Sequence, residues 1–357
     1  MLMQTNYSYS FLDQCRQQQD LLADAVIAWY MPHEKQALKS VLDQVVGNEF
    51  EPGDSLPEVF RALYEDVFHN VTIKQSETVW KGQQFFARYS SDILLLLGLL
   101  SLPYCYAAAN GAEVLIRSKR IKEEPANRLT ETAQFVFDVT APNAFETSGR
   151  GLASILKVRL IHASIRYYVQ RGGHWPDAYG KPVNQEDMAG TNLSFSLIPV
   201  RGMRKLGIQV SADESLDYIR YWNVIGKLLG LQDALLPDSN KAAYVLERNI
   251  RQRQFKSSAA GRELTASLVG YFEQVMKGTP IDGWARSYVH YLLGDKVAGM
   301  LGLEVESARK SLFKPLSAVM KLQNLVAKKE DSYLAALKQF EQQKEMTGVS
   351  SEIQLRD

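Results

Sequence analysis

Apolar residues recur at three- and four-residue intervals along nearly all of this 357-residue chain, and no stretch sustains a polar–apolar alternation. That spacing gathers apolar side chains on one face of an α-helix and scatters them over both faces of a strand. The expected fold class is therefore all-α, built as a single large helical domain. The reading predicts helices over 8–30, 36–46, 55–70, 83–100, 103–118, 125–138 and about 150–171. Another opens at Asn184, and more lie over 213–230, 239–255, 260–277, 283–296, 306–326 and about 329–345. Pro125 suits a first helical turn, and Gly172–Gly173 suits a helix end. Asn184 with Glu186 and Asp187 after it reads as an N-cap and an acidic first turn.

No linker is long or rich enough in Gly and Ser to demand separate domains. The chain divides into an N-terminal helical extension (1–80), a main helical body (81–325) and a solvated C-terminal helix with its tail (326–357). The 41 basic residues nearly balance the 40 acidic ones, and the basic residues form no stripe. This argues against a nucleic-acid partner. Two cysteines, Cys15 and Cys105, with no CxxC, leave no disulfide scaffold, zinc ribbon or covalent haem attachment. The N-terminus lacks an apolar signal core, so the cytoplasm is the expected compartment. The unbroken apolar run Ile93–Leu100 falls far short of the roughly 18 residues a span needs, and Pro103 stands three residues beyond its end. It is expected to be a buried helix, with no transmembrane span.

The five histidines, His33, His69, His162, His174 and His290, show no paired metal-ligand spacing. A lone histidine suits haem iron better than zinc. The informative segment is KVRLIHASIRYYV (157–169), where Arg159, His162 and Arg166 share a helix face flanked by Ile155, Val158, Ile165 and Val169. Two buried guanidinium groups require anionic partners. Two readings stay open on spacing alone. Haem propionates could meet the arginines, with His162 neutral and ligating iron. Otherwise Glu or Asp from neighbouring helices meets them, and His162 is a core histidine. A second cluster, NRLTETAQFVF (127–137), places Arg128 and Thr132 on one face with Glu131 beside them.

Four pieces carry a resemblance: SLPYCYAAANGAEVL (101–115), Arg128-x3-Thr132, Arg159-x2-His162-x3-Arg166, and VNQEDMAGTNLSFS (183–196) with the segment 201–230 after it. In order and approximate spacing, the stretch from about Leu97 to Pro237 resembles the rubber-oxygenase (latex-clearing protein) catalytic-domain family, which includes a membrane-bound fungal oxygenase. The resemblance implies a globin-like helical core holding one haem b, with His162 as the proximal iron ligand. It implies that Arg159 and Arg166 flank the haem. Arg128 and Thr132 would belong to the helix beside the distal pocket. Rubber-cleaving members carry a lysine just before the motif threonine, where this chain has Glu131, so a lysine cap on the iron is not expected. The family's proposed catalytic acid falls on the helix where Glu113 is the only carboxylate of the matching stretch.

The expectation is a haem-dependent oxygenase that uses Arg128, Thr132, Glu113 and Glu131 with O2 on a small apolar, unsaturated substrate. Two alternatives accompany it. A haem sensor or storage protein would share the axial histidine. A cofactor-free helical interaction protein would instead tie up Arg159 and Arg166 in ordinary ion pairs.

Overall fold

Short polar side chains cap several helix starts in the computed structural model, which describes residues 7–32, 34–69, 76–117, 125–279, 281–304 and 332–348. The predicted helix at 306–326 and His33 lie outside them. Ser8 caps α1 (Tyr9–Cys15), and Asp20 caps α2 (Leu21–Tyr30) by accepting from the Ala23 amide. Then come α3 (Lys35–Gln44), α4 (Glu58–Phe68) and α5 (Glu77–Leu96), the last capped by Ser76. A π-helical turn, Leu97–Ser101, joins α5 to α6 (Leu102–Tyr106), and α7 (Ala109–Arg117) comes next. The central pair is α8 (Pro125–Thr140) and α9 (Gly151–Arg171), the latter ending at Gly172.

The expected Asn184 cap is present: its side chain accepts from the Asp187 amide at 3.0 Å and opens α10 (Gln185–Phe195). Next are α11 (Leu197–Lys205), α12 (Ala212–Leu228) with a Ser211–Glu214 capping box, α13 (Asn240–Gln254) and α14 (Ala259–Met276). The series closes with α15 (Ala285–Leu293), α16 (Asp295–Met300) and α17 (Ser332–Thr347). Among the described residues the only β pairing is an isolated bridge, Ala108 with Phe255. The chain is all-α, as the periodicity requires.

Two predicted helices break. The segment 8–30 splits between α1 and α2 because 16–18 bonds across to the start of α10: Lys181 N donates to Arg16 O and Gln185 N to Gln18 O. The segment 283–296 splits at Gly294, whose φ of +80° ends a right-handed helix.

The core is shared by the N-terminal helices and the main body. Side chains of α2, α4, α5, α9 and α12 belong to one buried cluster. The α5–α12 crossing is close because Gly82 faces the Tyr221 ring, with no room for a Cβ between them. The phenol of Tyr221 donates to Val139 O, tying α12 to α8. By length and composition Glu77–Tyr106 could also cross a bilayer. In this fold it is a core segment, packed on α12, α17 and α11.

Candidate active site

Helix α9 is the floor of a cavity of about 320 Å³, within the range of small-molecule sites (about 300–1000 Å³). Val158, Ile161, His162 and Ile165 face it from α9, and Arg128, Glu131, Thr132 and Phe135 from α8. The π turn aims the next helix, so Tyr104, Cys105 and Tyr106 line the opposite wall. Helices α10, α12 and α13 complete it through Asn192, Trp222, Glu247 and Arg251, among others. The bridge from Ala108 to Phe255, with Lys256 N donating to Ala107 O at 3.1 Å, fixes the end of α13 against the α6–α7 corner.

His162 Nδ1 is buried and has no hydrogen-bond partner. Burial pushes the imidazole pKa down to about 4, and the charges of Arg166 and Arg128 push the same way. The ring is therefore neutral at neutral pH, the form of imidazole that can ligate a metal.

The two arginines of the motif do not line the cavity. At about 100° per residue, both lie roughly 40–60° to one side of His162, while Val158, Ile161 and Ile165 lie on the other. The face that seemed common to all three residues is thus divided. Arg159, 2% exposed, gives Nε and Nη2 to the two oxygens of Asp20 at 2.7 and 2.8 Å. It also pairs with Asp66 and donates to Leu228 O. Arg166 Nε donates to Asp24 Oδ1 at 2.6 Å, while its Nη1 and Nη2 are buried without partners. Asp20 and Asp24, one turn apart on α2, thus supply the carboxylates. The expected propionate contact is corrected for Arg159, whose guanidinium is spent on α2 and α4.

Arg128 and Glu131 do line the cavity and pair with each other at 2.9 Å; Glu131 is 4% exposed. The Thr132 hydroxyl also reaches the cavity wall and donates to Arg128 O, one turn back. Glu113 is not part of the site. It lies 3.7 Å from Arg117 on its own helix and is absent from the cavity lining. Its turn of α7 offers Gly111, Val114 and Leu115 to the cavity instead.

Sequence reasoning missed the polar wall on α13. Glu247 receives the Tyr104 phenol and Arg251 Nε on one oxygen, and its other oxygen lies 2.8 Å from Arg201. Burial alone would raise its pKa, but Arg201, Tyr104 and Arg251 hold it below the usual carboxylate range. The i,i+4 pair Glu247–Arg251 was visible in the sequence; that it faces a cavity depends on the Ala108–Phe255 bridge. Asn192 was also missed, and its Oδ1 is buried at the cavity without a partner.

These features define an all-helical protein with a largely apolar internal cavity and one unpartnered neutral histidine in its wall. The family described as "ER-bound oxygenase mpaB/B'/Rubber oxygenase, catalytic domain" matches residues 87–324, and the chain belongs to it. The rubber oxygenase of Streptomyces sp. (strain K30) is 24% identical over 287 residues, which cover 79% of this chain and 70% of that protein. The solved structure of latex clearing protein LCP in the closed state matches with a TM-score of 0.75 at 21% identity, covering 91% of this chain and 90% of that one.

Proposed function

We propose that this protein is a haem b-dependent oxygenase that uses O2 to oxidise or cleave a small apolar, unsaturated substrate. The observation that carries this reading is His162: a neutral imidazole with an unpartnered buried nitrogen, in the wall of an apolar cavity. Membership of an oxygenase family supports it. The residues fit the cofactor, since one neutral histidine is a sufficient protein ligand for haem iron. Haem would supply the iron redox chemistry that O2 activation needs.

The protein's own part is set by the cavity walls. His162 would hold the iron. Phe135, Ile161, Ile165 and Phe195 offer an olefin an apolar surface and keep water out. The Arg128–Glu131 pair sets a fixed charge pair at the wall. The Thr132 hydroxyl, bound to its own helix backbone, adds a polar edge without a net charge. The absence of a lysine before Thr132 leaves this chain without an amine at that position to cap the iron.

The cofactor-free reading has one observation in its favour, the pairing of both arginines with aspartates. It does not account for His162, which a core role would have left hydrogen-bonded. Absorption spectra of the wild type and His162→Ala, both expressed with ample haem, separate the two. A Soret band in the wild type, lost or strongly weakened in the variant, is expected. Oxygen uptake with small terpenoid olefins then distinguishes turnover from gas binding alone. No Soret band after reconstitution would leave the interaction-protein reading in place.

A further inference from the structure

We infer that Arg251 anchors a carboxylate at the mouth of the cavity, so that the ligand it holds is an apolar acid lying head-outward and tail-inward. This goes beyond the haem reading and rests only on the cavity being a ligand site.

Arg251 is one-third exposed (33%) and also lines the cavity, so its side chain spans the boundary between the two. Thr191 on α10 is exposed and lines the cavity too. Arg251 commits only Nε, at 2.9 Å from Glu247 Oε1. Its Nη1 and Nη2 donate to no acceptor among the described residues. A guanidinium edge in that state matches a carboxylate by a charge-assisted, two-point contact.

The local charge favours an anion as well. Glu247 is a single carboxylate set between two guanidinium groups, Arg251 and Arg201, with the Tyr104 phenol on the same oxygen as Arg251. The cluster therefore carries one net positive charge. The other carboxylate near this opening, Asp187, is already matched by Arg16 at 2.9 Å. Apolar Ile250, next to Arg251 in sequence, lines the cavity with it, as do Phe255 and Leu268. A charged head has its partner at the wet end and an aliphatic tail has its surface further in, toward His162. An uncharged hydrocarbon would make no use of the cluster.

Two sources could bring the carboxylate: an unsaturated long-chain acid as substrate, or the propionates of haem. The test begins with haem-free protein and a fluorescent polyene fatty acid, displaced by oleic acid or by oleyl alcohol. The wild type is expected to bind the acid about tenfold more tightly than the alcohol, or better, about 1.4 kcal/mol. Arg251→Gln is expected to erase that preference and Arg251→Lys to keep part of it. Arg251 is exposed enough for both variants to fold, which thermal melts verify. The second arm titrates haemin and its dimethyl ester by the Soret band. A variant that weakens haemin but not the ester assigns the carboxylate to the cofactor; loss of acid preference alone assigns it to substrate. Either result upholds the anchor. With haemin affinity unchanged in Arg251→Gln, any one of three results would overturn it: acid and alcohol binding equally, no binding of either, or an acid preference that the variant keeps. Because the first arm needs no haem, it can succeed where the haem reading fails.

Discussion

Asp20→Ala tests whether the N-terminal helices are an accessory or part of the frame that holds His162. Asp20 meets Arg159 with both oxygens, and both side chains are nearly out of solvent, at 5% and 2% exposure. Breaking a buried pair on one side costs about 3–5 kcal/mol, because the remaining charge stays buried and uncompensated. The loss here belongs at the lower end, since Arg159 retains Asp66 and Leu228 O. Against that, Asp20 also caps α2, a contribution of about 1 kcal/mol. The two considerations give about 3–4 kcal/mol. With a urea m-value near the upper end of its usual range, about 3 kcal/mol/M, the midpoint should fall by roughly 1 M at constant m. Replacing both partners with apolar residues, Asp20→Leu with Arg159→Met, should recover most of the loss, since an apolar pair leaves no charge to bury. A single-variant loss below about 1 kcal/mol, or a double variant no better than Asp20→Ala, would refute the claim that this pair compensates the burial of Arg159.

Two further outcomes are expected. In haem-free protein, burial holds His162 down to about 4 in the folded chain, against its ordinary 6.5 when unfolded, so the unfolded state binds the extra proton between those values. Stability is then lost as pH falls from about 6.5 to 4, by about 3 kcal/mol in full. His162→Phe should flatten that part of a pH–stability profile, and an unchanged slope would count against the neutral buried imidazole. Gly82→Ala drives a methyl into the fully buried Tyr221 ring and should cost about 1–3 kcal/mol; chemical denaturation showing a neutral effect would mean that α5 and α12 are less tightly joined than described.

The sequence made the helices legible because each needs only its own periodicity and its own cap. Asn184 and the Gly172–Gly173 stop are cases where the signal and its cause lie within a few residues of each other. The break between α1 and α2 was hidden because its cause is far along the chain, in the backbone bonds from Lys181 and Gln185. The site showed the same division. His162 stood out on its own helix, and the Arg128, Glu131 and Thr132 cluster faces the cavity, a placement that the resemblance implied and spacing alone left open. Helical spacing places Arg159 and Arg166 on a stripe within about 60° of His162, which is too coarse to say what stands opposite. Asp20 and Asp24 stand there, and their i,i+4 match to arginines seven apart becomes visible only once α2 is laid on α9. Glu113 fails for a related reason: a one-residue uncertainty in register turns a helical side chain through about 100°.

The same sensitivity to register gives the π turn at Leu97–Ser101 a consequence for how this cavity can change over generations. A π turn carries one residue more than the α-helix that would replace it. It therefore takes up an extra residue without turning the helices on either side of it. Loss of any one of those five residues would let the segment close as ordinary α-helix, with Tyr104 still on Glu247. One residue gained or lost between this turn and Tyr104 has no such outlet and would rotate the wall by about 100°. Substitutions at the lining exchange one side chain at a time; the π turn is the place where this segment can change length and keep its wall.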